Sequence, residues 1–282
     1  MKLKGPWGFL KNTPEDIAKA DQIFQYLGDL YQGKSDPWGL DLKASKKTFL
    51  SLLPIYRKYF KVKLHCDESS LLAPFMAVSN HTGQIPIDGM LITMAFLVEL
   101  DSPILLRGMV ERFMAKLPFL GALAAKTGSV LGDRKNCQFL LKRKNSILVF
   151  PEGVRGISKP TTKQYELQNF SYGFYRLALE SQTPILPIAV IGAEEMFPFV
   201  AHSSFIAKKL KVPAFPLSLN YIPFPSSIDI HIGKLIHTKE NLKNTDPDEA
   251  LKSSVEEIEN KVKELIHQGS KQKRDYFGNK RR

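Results

Sequence analysis

Two islands of this sequence carry residue types that could do chemistry. The first is Val78-Ser79-Asn80-His81-Thr82-Gly83-Gln84-Ile85-Pro86-Ile87-Asp88, which offers a histidine with a carboxylate close behind it. The second is Ile147-Leu148-Val149-Phe150-Pro151-Glu152-Gly153-Val154-Arg155-Gly156, which offers a carboxylate and a guanidinium. His81 follows an apolar, β-like run, so it falls at a strand's carboxyl end, where open α/β sheets place their sites. Gly83 and Pro86 disfavour a continuous helix from His81 to Asp88; the expectation is a loop carrying His81, then a helix opening near Pro86–Asp88. Such a loop can fold back until Asp88 reaches the imidazole. A carboxylate on one ring nitrogen fixes the tautomer and supports the imidazolium. The other nitrogen can then take a proton from a hydroxyl, a role worth about 10²–10⁴-fold in rate. The pair also fits a loop histidine with Asp88 acting only as a first-turn acid.

Glu152 lies just past a strand end. Gly153 and Gly156 permit tight turning and close backbone approach to a ligand, and Arg155 presents a planar fork suited to phosphate. An ordinary Glu–Arg surface turn has the same composition. Two further segments are weaker singly. Gly128-Ser129-Val130-Leu131-Gly132-Asp133-Arg134 reads as a short strand ending in a second arginine. Pro184–Gly192 reads as a buried strand with Pro187 inside, and a proline there implies an edge, a bulge or a strand boundary.

These residues need a frame to hold them. Residues 1–65 read as mostly helical. Thr13-Pro14-Glu15-Asp16 is a helix start, followed by Ile17, Ala20, Phe24, Leu27 and Tyr31 at helical spacing. Asp36-Pro37-Trp38-Gly39 marks a turn, and a second helix over 43–60 should kink or split at Pro54. Its basic end, Arg57 to Lys63, reads as the solvated edge of a helical hairpin or as a surface for lipid headgroups. From Leu71 short apolar runs alternate with helices, which argues α/β. Candidate strands are 75–79, 104–106, 130–131, 147–150, 185–191, 217–222 and 228–232. Candidate helices are 88–100, 111–117, 136–144, 172–181 and 246–267. The expected fold is a central mixed, largely parallel sheet flanked by helices over residues 66–268, with an N-terminal helical extension over 1–65 as a candidate membrane-apposed region, and a basic flexible tail over 269–282.

The bulk numbers narrow the partners. The 282 residues are 43 % hydrophobic and 24 % charged, so a real core is expected. Forty basic against 28 acidic residues give a net charge of +12, which favours anionic partners: nucleic acid, acidic lipid or an acidic carrier protein. The basic residues are spread along the chain and no nucleic-acid-binding motif stands out, which weighs against the first. Cys66 and Cys137 give neither a disulfide framework nor metal-ligand spacing. Met1–Trp7 lacks a signal peptide's apolar stretch, and Met90–Leu100, broken by Thr93 and Glu99, falls short of the roughly 20 residues that span a bilayer. The expectation is a cytoplasmic protein, peripheral on a membrane's inner face.

In their order and company the four segments resemble the glycerol-phosphate and 1-acyl-glycerol-3-phosphate acyltransferase family. An Asn-His…Asp block (Asn80, His81, Asp88) is followed by a Gly…Asp-Arg block (Gly128, Asp133, Arg134), then Phe-Pro-Glu-Gly-x-Arg (Phe150 to Arg155), then a hydrophobic strand with a central proline (Pro187). The resemblance covers roughly residues 70–195. It implies that His81 is a general base acting on an acceptor hydroxyl and that Asp88 orients it. It implies that Arg134 and Arg155 hold the acceptor's phosphate, while Glu152 and Gly153 shape its pocket. The donor would be acyl-CoA or acyl-carrier protein as co-substrate, the acceptor a lysophospholipid or glycerol phosphate, and the setting an anionic membrane surface, with no cofactor or metal. Six residues separate His81 from Asp88, a longer gap than the family's usual block, and Val154 and Gly156 stand where small hydroxyl residues are more usual. A hydrolase using the same dyad on a thioester or lipid is the competing reading, although a Gly-x-Ser-x-Gly block is missing.

Overall fold

The computed structural model describes residues 11–32, 36–82, 87–116, 119–157, 159, 161–197, 199–202, 216–218, 222–238 and 247–271. The described residues form nine strands: β1 Lys63–His65, β2 Met76–Ser79, β3 Arg107–Val110, β4 Val130–Leu131, β5 Ile147–Val149, β6 Ile185–Ile191, β7 Phe199–His202, β8 Pro216–Ser218 and β9 Asp229–Ile232. The helices are α1 Pro14–Tyr31, α2 Leu42–Pro54, α3 Ile87–Val98, α4 Arg112–Lys116, α5 Leu120–Lys126, α6 Arg134–Lys142, α7 Val154–Ile157, α8 Gly173–Glu180 and α9 Pro247–Ser270. Seven strands form one sheet in the order β1-β9-β6-β2-β5-β3-β4, while β7 and β8 make a separate ribbon. Every pairing in the large sheet is parallel except β6 with β9.

The sheet is covered on both faces, and the sequence shows why. β2 and β6 are apolar at almost every position, as strands buried on both sides must be. Their side chains alternate. Ala77, Leu186, Ile188 and Val190 enter a core with α1, α2 and α3. Met76, Val78, Ile185, Ala189 and Ile191 enter a second core with α6, α8 and α9. β6, β2 and β5 lie side by side and parallel, so their carboxyl ends open at one place.

The N-terminal helices follow their sequence signals. Thr13 caps α1 in a reciprocal box with Asp16. α2 ends at Pro54, and the next turn, Ile55–Tyr59, widens to π geometry. A proline cannot donate to the carbonyl four residues back; that carbonyl, on Leu50, instead accepts from Asn12 Nδ2 at 2.7 Å. Arg57 is paired with Asp16 on α1, so the basic end of this helix packs partly inward.

Several expected boundaries are corrected. Residues 104–106 lead into a strand rather than forming one, and β3 takes the next four residues, where Arg107 N meets Ser146 O at 3.0 Å. β1 lies inside the stretch expected to be helical and joins the sheet beside β9. α5 and β7 were not anticipated, the first because its seven residues are too few to establish a helical period, the second because Phe199–His202 is too short to stand out. α9 continues through Ser270, past the expected start of the tail at Gly269; residues 272–282 lie outside the described residues, as do 1–10 and 219–221. Pro187 sits in the sheet interior, and its irregularity is a bulge. Ile188 pairs with Ile232, but Ile185 pairs with Ile236, leaving two residues between the pairs on one side against three on the other. Gly233 N donates to Pro187 O at 2.9 Å, and the reciprocal bond, which proline cannot make, is where the register breaks. α3, which holds most of the apolar run from Met90, is a core helix with Leu91 to Val98 buried except Thr93. Among the described residues no helix is long and apolar enough to cross a membrane.

Candidate active site

Where β2 runs out, its edges are held by side chains rather than by ladder bonds. Asn80 is fully buried, takes Val190 N at 2.8 Å and gives Nδ2 to Val190 O at 3.1 Å. That clamp extends the β2–β6 pairing by one residue and presents His81 at the strand end. His81 Nδ1 lies 2.7 Å from Asp88 Oδ2. Asp88 has no exposed surface. Its carboxylate also accepts Thr82 N at 2.8 Å and Gly89 N at 2.7 Å. Asp88 is in the first turn of α3, so the loop does fold back across the six-residue gap; residues 83–86 lie outside the described residues. Among the described residues no hydrogen bond engages Nε2 of His81, and the imidazole keeps a small exposed edge.

The second island closes over the first. Phe150, just past β5, stacks on the His81 ring with centroids 4.2 Å apart. Glu152 is buried, and one oxygen accepts the backbone N–H of His81 at 2.7 Å while the other accepts that of Gln168 at 2.7 Å. Both oxygens are therefore engaged in holding loops. Burial pushes the Glu152 carboxyl above its ordinary range; the Lys159 ammonium and the two N–H donors pull it back. Lys159 Nζ stands 3.9 Å from Glu152 and 2.9 Å from Glu194, just beyond the end of β6. Glu194 is pushed up by burial too, and it accepts Tyr165 N at 2.8 Å. One ammonium thus bridges two buried carboxylates, tying together the segments that follow β5 and β6, with Glu152 carrying the tie to His81.

Gly153 has φ +57°, a conformation that favours glycine, and faces Glu111 at the end of β3. Gly156 is more constrained by space. A methyl there would lie 2.8 Å from His81 Cβ and 3.0 Å from both Glu152 Cβ and His81 O. Gly156→Ala is accordingly expected to cost about 1–3 kcal/mol through overpacking, seen as a lowered thermal midpoint in calorimetry; an unchanged midpoint would show that the loop yields.

The structure thus brings His81, Asp88 and Glu152 into one bonded group, with Gly153 and Gly156 in the same loop. Arg155 lies at the exposed lip: Nη2 donates to Asn169 O at 2.9 Å and Nε to Glu152 O at 3.4 Å. Arg134 stands apart from the group. Its side chain is 70 % exposed and paired with Glu180 of α8. Sequence reasoning missed Phe150 as a stacking partner, Lys159 and Glu194. Glu194 was findable, because it follows β6 much as His81 follows β2; Lys159 sits in a stretch with no local pattern. Burial holds the thiols of Cys66 and Cys137 up at about 11, far from nucleophile range, and among the described residues no cluster has the makings of a metal site.

A base poised at a strand end, a buried carboxylate behind it and a braced loop beside it suit the deprotonation of a hydroxyl. Comparison with known proteins bears on which reaction that serves. The model of the family described as Acyltransferase matches residues 61–191. Proteins of Mycobacterium bovis and Mycobacterium tuberculosis, both described as uncharacterized, are 28 % identical over 272 residues, covering 91 % of this chain and 75 % of theirs. The 1-acyl-sn-glycerol-3-phosphate acyltransferase of Limnanthes douglasii is 26 % identical over 169 residues, covering 56 % of this chain and 52 % of its own. The fold is similar to that of the 1-acyl-sn-glycerophosphate acyltransferase PlsC from Thermotoga maritima. The TM-score is 0.52 at 14 % identity, over 93 % of this chain and 98 % of that one. The matched span, from two residues before β1 to the end of β6, runs through the strand ends that carry His81 and Glu152, and over it the chain is similar to the family described as Acyltransferase.

Proposed function

We propose that the protein moves a fatty acyl group from an acyl thioester, acyl-CoA or acyl-carrier protein, to a hydroxyl of a lysophospholipid or glycerol-phosphate-type acceptor at an anionic membrane surface. The observation that carries this reading is the 2.7 Å bond between His81 Nδ1 and Asp88 with Nε2 left on the other side of the ring. In this reading Nε2 takes the proton as the acceptor oxygen attacks the thioester carbonyl. The tetrahedral intermediate collapses with loss of the thiolate, and the imidazolium returns the proton to sulfur. Asp88 holds the proton on Nδ1 and supports the transient positive charge. Glu152 works through the backbone of His81 rather than through the substrate, and Lys159 with Glu194 fixes Glu152.

Arg155, at the lip of this loop, is the candidate for the acceptor's phosphate; Arg134 keeps that role only if it leaves Glu180. A charge-assisted bond to phosphate is worth about 1.5–3 kcal/mol, so Arg155→Ala should raise KM for a phosphate-bearing acceptor by roughly 10–100-fold. An unchanged acceptor dependence would remove Arg155 from the site. The whole reading is tested by thiol release from purified protein, with both donor types, against a panel of lysolipids. Release that requires an acceptor is expected; equal release without one would make the protein a thioester hydrolase.

A further inference from the structure

We propose that α5, headed by Phe119, is a docking element that seats the active-site mouth on an anionic phospholipid bilayer. The proposal rests on the reading above that the acceptor is a membrane lipid. α5 is Leu-Gly-Ala-Leu-Ala-Ala-Lys, and none of its residues is buried. Phe119 is 90 % exposed, Leu120 53 % and Leu123 43 %. These three positions are spaced to share one side of a helix. Phe119 also combines φ +62° with ψ −45°, a positive-φ conformation that a bulky aromatic rarely adopts. Scattered exposed apolar side chains are ordinary, but an apolar helix with no buried residue is a surface waiting for an apolar phase.

The charge around it identifies the phase. From Arg112 to Gly132 the chain holds Arg112, Lys116 and Lys126 and no aspartate or glutamate. Apolar side chains combined with basic residues alone are the composition of elements that lie in the headgroup region of acidic lipid. A buried protein interface would not need the bias, and the net charge of +12 acts in the same direction at longer range.

Its position links it to the site. β3 ends at Val110 and β4 restarts parallel to it at Val130, so the intervening chain leaves and re-enters the sheet in the same sense. α5 runs back toward the amino end, where Lys126 O accepts from Asp41 N and Ser45 Oγ. Its head, Phe119–Leu120, is therefore at the carboxyl end of the sheet, the end that carries His81. Glu111, where this excursion begins, faces Gly153 of the site loop. A bilayer met by Phe119 and Leu120 would lie across that end of the sheet, and an acceptor could reach His81 without leaving it fully.

The test uses the full chain and vesicles of phosphatidylcholine with or without phosphatidylglycerol in about a third of the lipid. The variant F119S/L120S/L123S is expected to keep the wild-type thermal midpoint, to keep turnover of a short-chain acceptor dissolved in water, and to lose at least about tenfold in affinity for phosphatidylglycerol vesicles and in turnover of a bilayer-embedded acceptor. F119W, read against the wild-type tryptophan background, is expected to shift its emission to the blue on the same vesicles and not on pure phosphatidylcholine. Unchanged vesicle affinity in the triple variant, or an unshifted F119W, would overturn the proposal. So would a fall in molecular mass of the triple variant in light scattering with vesicle binding intact, which would make α5 a contact between copies of this chain. Should the triple variant fail to fold, F119W alone decides. Absence of acyl transfer to every acceptor would fail the catalytic reading, while the vesicle measurements would still judge α5.

Discussion

His81→Ala should reduce acyl transfer by about 10²–10⁴-fold in a thiol-release assay while the protein still folds. A correctly placed general base contributes about 10²–10⁴-fold, and nothing else in the group can replace it. Asp88 is fully buried behind the ring, both oxygens of Glu152 are committed to backbone N–H groups, and Arg155 cannot accept a proton. Folding should survive because the bond that anchors this loop to Glu152 comes from the main-chain N–H of residue 81, which alanine keeps. Asp88 loses one partner and retains the N–H groups of Thr82 and Gly89. KM for the acyl donor should stay close to wild type, since the imidazole acts on the acceptor's proton. A His81→Ala protein with a native melting curve and turnover within tenfold of wild type would eliminate the mechanism.

Asp88→Asn should be nearly as damaging, and for a reason specific to its bonding. The carboxylate accepts three N–H donors, two on Oδ2 and one on Oδ1. An asparagine has one oxygen to offer. If its oxygen faces Gly89, its amide nitrogen is turned to His81 and Thr82. His81 Nδ1 must then accept, which moves the ring proton to Nε2 and removes the lone pair that takes the acceptor's proton. If the oxygen faces His81 instead, the amide nitrogen opposes Gly89 N–H at a position with no exposed surface. Loss of about 10²–10⁴-fold in kcat is expected, with acceptor KM little changed. Turnover comparable to wild type would reduce Asp88 to a helix-terminus acid.

Much of this site was legible in the primary structure because its parts lie at strand ends, and strand ends are marked locally. An apolar run that stops at Asn80-His81 or at Phe150-Pro151-Glu152 announces both the strand and the polar loop beyond it. The Thr13-Pro14 start of α1, the helix opening at Asp88, and the two-sided apolar run of β6 were readable on the same grounds. Less was readable where burial is shared or patterns are short. The 104–106 triplet is apolar because it is buried, not because it is extended, and β1 spans three residues, too few for the alternation of Leu64 with Lys63 and His65 to stand out after a helical stretch.

The roles of Glu152, Arg134 and Lys159 were of another kind. The resemblance placed Glu152 in an acceptor pocket and paired Arg134 with Arg155 on phosphate. The fold gives both Glu152 oxygens to backbone N–H groups and gives Arg134 to Glu180. Residue types and local order set the chemical inventory of the chain and its alternation of strands and helices, since those depend on neighbours within a few positions. Which inventory members meet is settled by the strand order β6-β2-β5, in which segments some 40 to 110 residues apart in sequence become adjacent. That order follows from burying both faces of one sheet at once, a property of the whole chain, and so the ammonium of Lys159 between two buried carboxylates could be seen only in three dimensions.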